Sequence, residues 1–171
     1  MYRAQKNIKD FKYILNHLRK EDKEEVKAIF GKHWKRETIK NLMHTDFQIL
    51  LGKTKKGNIP VLMGGAWAVD KDKPSIATVW MLSTPEIEKH QVAFLRELRK
   101  EVANYDKSFA ITYNHIYKSN ILAKKWLKWA GYRFPNEEKV LTPLDRFFLS
   151  IEIPEGFEIF YRERQVKGLG E

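Results

Sequence analysis

Between Tyr113 and Phe134 the chain reads Tyr-Asn-His-Ile-Tyr-Lys-Ser-Asn-Ile-Leu-Ala-Lys-Lys-Trp-Leu-Lys-Trp-Ala-Gly-Tyr-Arg-Phe, and few arrangements accommodate it. Ser119 or Asn120 can cap a helix by accepting a backbone N–H bond. Ile121, Leu122, Trp126, Trp129 and Ala130 then recur at helical spacing, with Lys124, Lys125 and Lys128 between them on the wet side. Gly131 can adopt the left-handed conformation that stops a helix. Tyr132 and Phe134 resume a period of two. The stretch therefore predicts a helix delivered onto a sheet edge, with Asn114 and Asn120 at its mouth.

The rest of the chain is organised to receive such a unit. Residues 1–10 are polar and predict a flexible arm. Phe11 to Leu18 alternates as a first strand. Lys20 to Phe30 predicts a helix, with acidic residues in its first turn and Gly31 at its end. Arg36 to Met43 predicts another. Phe47 to Gly52 and Ile59 to Val69 read as a hairpin around the basic tip Lys53 to Asn58, and Asp70 to Pro74 as a turn. Gly64-Gly65 implies a bulge, a close backbone approach, or an opening of the sheet to a ligand. Ile76 to Leu82 is apolar enough for a strand buried on both faces. Ser83-Thr-Pro-Glu86 starts a long helix, with either Thr84 before Pro85 or a Ser83–Glu86 box as its cap. Phe109 to Tyr113 is a strand, Val140 to Ile153 reads as a closing hairpin, and Phe157 to Arg162 as a last strand, with a frayed end from Val166. The expected class is α/β, a central, mostly antiparallel mixed sheet flanked by about four helices. The expected division is an arm (1–10), one domain (11–153) and a C-terminal extension (154–171).

Composition removes several functions. An apolar share of 43% excludes a disordered chain. The absence of cysteine excludes disulfides, thiol catalysis and thiolate metal sites. His17, His33, His44, His90 and His115 lack ligand spacing, so no metal is expected. The phosphate-loop, dinucleotide and serine-elbow motifs are missing. The longest nearly apolar run, Ile59 to Val69, is too short to span a bilayer. Met1 to Lys6 lacks a signal peptide's apolar core, so a non-secreted protein is expected. The net charge of +10 attracts polyanions, although no basic run interleaved with aromatics marks a nucleic-acid motif.

The element order and the Tyr113–Phe134 stretch resemble the GCN5-related N-acetyltransferase fold. That family's last motif is matched at Asn120, Ala123, Gly131 and Tyr132, and position 127 falls where the family often carries a tyrosine. A narrower resemblance links Pro60-Val-Leu-Met-Gly-Gly65, Val79-Trp-Met-Leu-Ser83, Asn114 to Asn120 and Trp126 to Gly131 to the acetyltransferase-like internal virion proteins of short-tailed phages.

The resemblance implies an acyl-coenzyme A cleft at Leu82, Ser83, Thr84, Asn114, Asn120 and Lys124, with acetyl-coenzyme A as cofactor. Asn114 and Asn120 fit equally well as turn former and cap, and the lysines as a solvated face. Three departures stand against the family's chemistry. The pyrophosphate loop, Leu82 to Ile87, has no glycine; Pro85 removes a donor, and Glu86 and Glu88 bring negative charge. Leu127 replaces the usual tyrosine acid, leaving Tyr117 or Tyr132 as candidates. No base stands out on the strands beyond Asp46, Gln48 and Asp70, so His44, His90 or His115 would have to serve. Two readings follow. One is a virion or assembly component with degenerate or absent catalysis, found in the host cytoplasm during infection or in the particle, facing other virion proteins, DNA or an acidic protein. The other is an active acetyl-coenzyme A-dependent N-acetyltransferase.

Overall fold

Phe11, Ile14 and Leu15 are three and four residues apart and all buried, and this spacing makes the first long element a helix, α1 (Ile8–Asn16). The strand expected at Phe11 to Leu18 does not form. Asn7 caps α1 by accepting the Asp10 N–H at 2.8 Å, which commits the following turn to helix. The computed structural model describes residues 1–55, 57–70, 72 and 75–164. Lys56 of the expected basic tip, Lys71, Lys73 and Pro74 of the next expected turn, and the expected frayed end from Val166 lie outside the described residues.

Two compact units make up the chain, Met1–Trp67 with Val79–Leu98, and Ala68–Thr78 with the residues from Arg99 onward. In the first, a short strand β1 (Tyr2–Ala4) pairs antiparallel with β2 (Asp46–Thr54), so part of the polar N-terminus carries regular structure. Between them lie α1, α2 (Lys20–Phe30) and α3 (Trp34–Leu42). β2 forms the expected hairpin with β3 (Gly57–Ala68), its register shifting at Leu50/Leu51 and not at the glycine pair. Gly64 and Gly65 serve close approach instead. A Cβ on Gly65 would lie 2.2 Å from the Asp46 carbonyl oxygen, and one on Gly64 2.8 Å from that of Trp80. Phe11, Ile14, Leu15, Val26, Trp34, Leu42, Phe47, Ile49, Met63 and Leu82 form this unit's core.

In the second unit, β5 (Ile111–Tyr117) runs parallel to the start of β4 (Ile76–Ser83), Ile76 opposite Ile111 through Thr78 opposite Tyr113. It pairs antiparallel along its length with β6 (Phe157–Glu163). The strands are hydrogen-bonded in the order β1-β2-β3-β4-β5-β6, giving the expected mixed, mostly antiparallel sheet. The long helix α4 (Gln91–Ser108) follows a 3₁₀ turn, Pro85–His90. The helix α5 (Ile121–Trp129) forms at the expected place, with Asn120 as its cap and Gly131 at φ 88° past its end, but Ile121 and Trp129 of its expected apolar face are exposed.

The closing hairpin expected over Val140 to Ile153 is instead a helix, α6 (Pro143–Leu149). Thr142-Pro-Leu-Asp145 builds a capping box, the Thr142 hydroxyl accepting the Asp145 N–H and the Asp145 carboxylate accepting the Thr142 N–H at 2.8 Å. Phe148 then packs on Ile159 and Tyr161 of β6. Asp145 is fully buried and also accepts from Arg133 at 3.0 Å and from the Tyr161 hydroxyl at 2.8 Å. Burial alone would raise its carboxyl pKa, but Arg133, Thr142 and Tyr161 outweigh burial and hold it below the ordinary range. Its stabilisation is therefore complete above the unfolded-state value of about 3.9 and is lost as pH falls through the lower folded value. Asp145→Asn is expected to cost about 2 kcal/mol at pH 6, and the gap from the parent to narrow toward pH 3. Urea unfolding across that range measures it; a gap that stays constant with pH would contradict the assignment.

Candidate functional site

The turn after β4 is where the resemblance expects a phosphate cradle. Ser83 and Thr84 are buried, and their donors point into the protein. The Ser83 N–H and hydroxyl both donate to Oδ2 of Asp22 on α2, at 2.8 and 2.7 Å. The Thr84 N–H donates to the Val61 carbonyl at 2.8 Å, and its hydroxyl donates to the same oxygen at 3.2 Å. Thr84 is extended and Pro85 follows at the first helical position, as expected, but the threonine side chain does not cap. The Ser83 carbonyl in turn accepts the Arg19 N–H at 2.9 Å, and Arg19 stands 3.6 Å from Asp22. Burial pushes the Asp22 carboxyl up from its ordinary value, against the pull of Arg19 and the Ser83 donors. Glu86 pairs with Lys89 at 2.7 Å. A pyrophosphate needs converging backbone N–H groups. Here the amides of Ser83, Thr84 and Ile87 have internal acceptors, Pro85 has none to give, and the residues of this turn do not fit that group.

The second unit divides the remaining candidates between two faces of one strand, because side chains alternate along β5. Thr112 and Asn114 point to the α5 side. There Tyr132 is buried, packs edge-on against Phe160, and its hydroxyl accepts from Thr112 at 3.2 Å. Burial pushes the Tyr132 phenol up to about 12, making it a weak acid. The Asn114 side chain accepts the His115 N–H at 2.8 Å. Tyr113, His115 and Tyr117 point the other way. Tyr113 meets Phe148, His115 meets the edge of Phe157, and Tyr117 stacks on Phe157 with ring centroids 4.4 Å apart. Burial lowers the His115 pKa, so its imidazole is neutral at pH 7. The sheet thus separates His115 and Tyr117 from Asn114 and Tyr132.

Asn120 is buried and caps α5, its side chain accepting the Ala123 N–H at 3.4 Å. Lys124, one turn on, forms ion pairs with Glu137 at 2.8 Å and with the buried Glu158 of β6, and its ammonium lies 5.4 Å from the Phe134 ring centroid. Burial would lower the Lys124 pKa, but the two carboxylates prevail and hold it above the ordinary value. Leu127 contributes only a carbonyl that accepts the Tyr132 N–H. A cleft of about 670 Å³ opens elsewhere in this unit, lined by Arg133, Thr142, Leu144, Phe147, Tyr161 and Glu163 among others, and by none of the residues expected to form the site. Among the described residues no cluster of three or more ligating side chains could hold a metal, and no helix is long and apolar enough to cross a membrane.

Sequence reasoning missed Asp22, whose partner Ser83 lies 61 positions away. It also missed Glu137 and Glu158. The Thr142–Asp145 spacing did carry a signal, that of a capping box.

Solved structures place this architecture. An acetyltransferase of the GCN5-related family from Staphylococcus aureus superposes with a TM-score of 0.62 at 12% identity, covering 96% of this chain and 99% of its own. A GCN5-related N-acetyltransferase from Kribbella flavida gives 0.59 at 13%, covering 95% and 96%. A spermidine N-acetyltransferase from Vibrio cholerae, solved with coenzyme A and spermine, gives 0.54 at 12%, covering 95% of this chain and 95% of its own. The chain has the GCN5-related N-acetyltransferase fold. No protein-family model and no curated protein sequence matches it.

Lys124 holds a buried carboxylate. Lys124→Ala is therefore expected to destabilise by about 3 kcal/mol, because it strands Glu158, whereas exposed Lys125→Ala should stay within about 0.5 kcal/mol. Chemical denaturation decides it; equal, small effects would release Lys124 for ligand binding.

Proposed function

We propose that the chain keeps the acetyltransferase scaffold without the family's acyl-transfer machinery, and works as an internal or assembly component of a short-tailed phage particle. The observation that carries this reading is the inward commitment of the Ser83 and Thr84 donors to Asp22 and Val61. An acyl-coenzyme A enzyme of this fold needs such donors outward. Leu127 in the acid's position, the buried Tyr132 and the placement of His115 and Tyr117 on the opposite sheet face support the same reading. The phage role draws on the likeness of Pro60 to Gly65, Val79 to Ser83, Asn114 to Asn120 and Trp126 to Gly131 to internal virion proteins. The protein would act in the host cytoplasm during infection and in the particle, against other virion proteins.

A second reading is an acetyl-coenzyme A-dependent N-acyltransferase. It is favoured by the coenzyme A complex of the Vibrio spermidine N-acetyltransferase and by the capped Asn120 helix.

Thermal unfolding with increasing acetyl-coenzyme A separates the two. The first reading expects an unchanged Tm. The second expects saturable stabilisation, about 2.7 kcal/mol at a hundredfold excess over Kd, which is several degrees for a chain of this size. Mass spectrometry of purified particles tests the phage role; the chain's absence from them would sink it.

A further inference from the structure

α3 buries Trp34, Thr38 and Leu42 on one side. At about 100° per residue the opposite side carries Lys32, Arg36 and Lys40, Lys32 coming from the 3₁₀ turn Gly31–His33 that leads into the helix. All three are exposed, and none has an acidic partner among the described residues. They follow one another every four residues, about 6 Å per step at the helical rise. Glu37, on the flank, is the sole acid between Lys32 and Lys40. α2 packs against α3 and exposes Lys20, Lys23 and Lys27 opposite the buried Asp22 and Val26, with the exposed Glu24 among them.

We propose that the row Lys32, Arg36 and Lys40, with the lysines of α2 beside it, is a contact surface for the phosphate backbone of duplex DNA. The inference rests on the surface of α2 and α3 and goes beyond the acyl-transfer question. Regularly spaced, unneutralised cations on a rigid helix suit a partner with regularly spaced charge, and the duplex presents one phosphate per about 1.7 Å of axis. A bilayer surface fits less well. A helix lying in a membrane interface needs an apolar face to insert, and that of α3 is spent on the core. The row has no exposed Phe, Tyr or Trp on which an unpaired base could stack, which argues against single strands as the preferred form. Contacts to phosphate alone carry no sequence information.

The test is fluorescence anisotropy with a short duplex in two unrelated sequences, across a salt series. The whole chain is compared with the triple variant Lys32→Ala, Arg36→Ala, Lys40→Ala and with a control variant, Lys107→Ala, Lys118→Ala, Lys125→Ala. Each phosphate contact contributes about 0.9 to the slope of log affinity against log salt, so the first triple variant should flatten the slope by up to about 3 and weaken both sequences alike. The control should retain the parent slope. All six positions are exposed, and circular dichroism verifies that each variant is folded. Equal slopes for parent and first variant would overturn the assignment. So would failure to bind duplex at about 50 mM salt, or binding confined to anionic vesicles or polyglutamate.

Discussion

One carboxyl group governs the end of β4. Asp22, buried in α2, accepts two hydrogen bonds from Ser83, while Arg19 binds the Ser83 carbonyl through its backbone. A buried polar group without a partner costs about 1–3 kcal/mol, so Asp22 and Ser83 hold one another in place, and the Val61 carbonyl holds Thr84. The consequence is chemical as well as structural. Backbone N–H groups that could converge on a bound anion converge on the chain's own oxygen atoms. The strand ends in a closed network, and Pro85 and the Glu86–Lys89 pair continue that closure into the 3₁₀ turn.

The same economy runs through the second unit. Lys124 neutralises Glu158 and Glu137, Tyr132 is tied to Thr112, and Asn120 caps the helix that carries them. On the far side of β5, Asp145 gathers Arg133, Thr142 and Tyr161. Polar side chains that resemble a site in the sequence are, in the fold, partners of one another. Networks of this kind fix a unique core when every member is satisfied.

Much of the fold is legible locally. α5 announces itself because cap, apolar period and terminating glycine fall within a dozen residues, and the β2–β3 hairpin because its turn residues separate two apolar runs. α1 misleads because Phe11, Tyr13 and Leu15 alternate as a strand would, while Phe11, Ile14 and Leu15 also fit a helix. The deciding cap, Asn7 with Asp10, lies upstream of the pattern. α6 misleads for the opposite reason. Its Thr142–Asp145 box is present in the sequence, but Phe147, Leu149 and Ile151 alternate convincingly. The candidate site is less legible. Asn120 can be read from spacing alone, yet which face of β5 His115 and Tyr117 occupy depends on strand phase, and the Asp22–Ser83 bonds join positions with no local relation.

The most direct measurement is amide hydrogen exchange at Ser83 and Thr84, with and without coenzyme A. The expected result is slow exchange at both amides in the free protein, unchanged by the cofactor, because Asp22 and Val61 already hold these hydrogens. Rapid exchange in the free protein that becomes protected on adding coenzyme A would contradict the account.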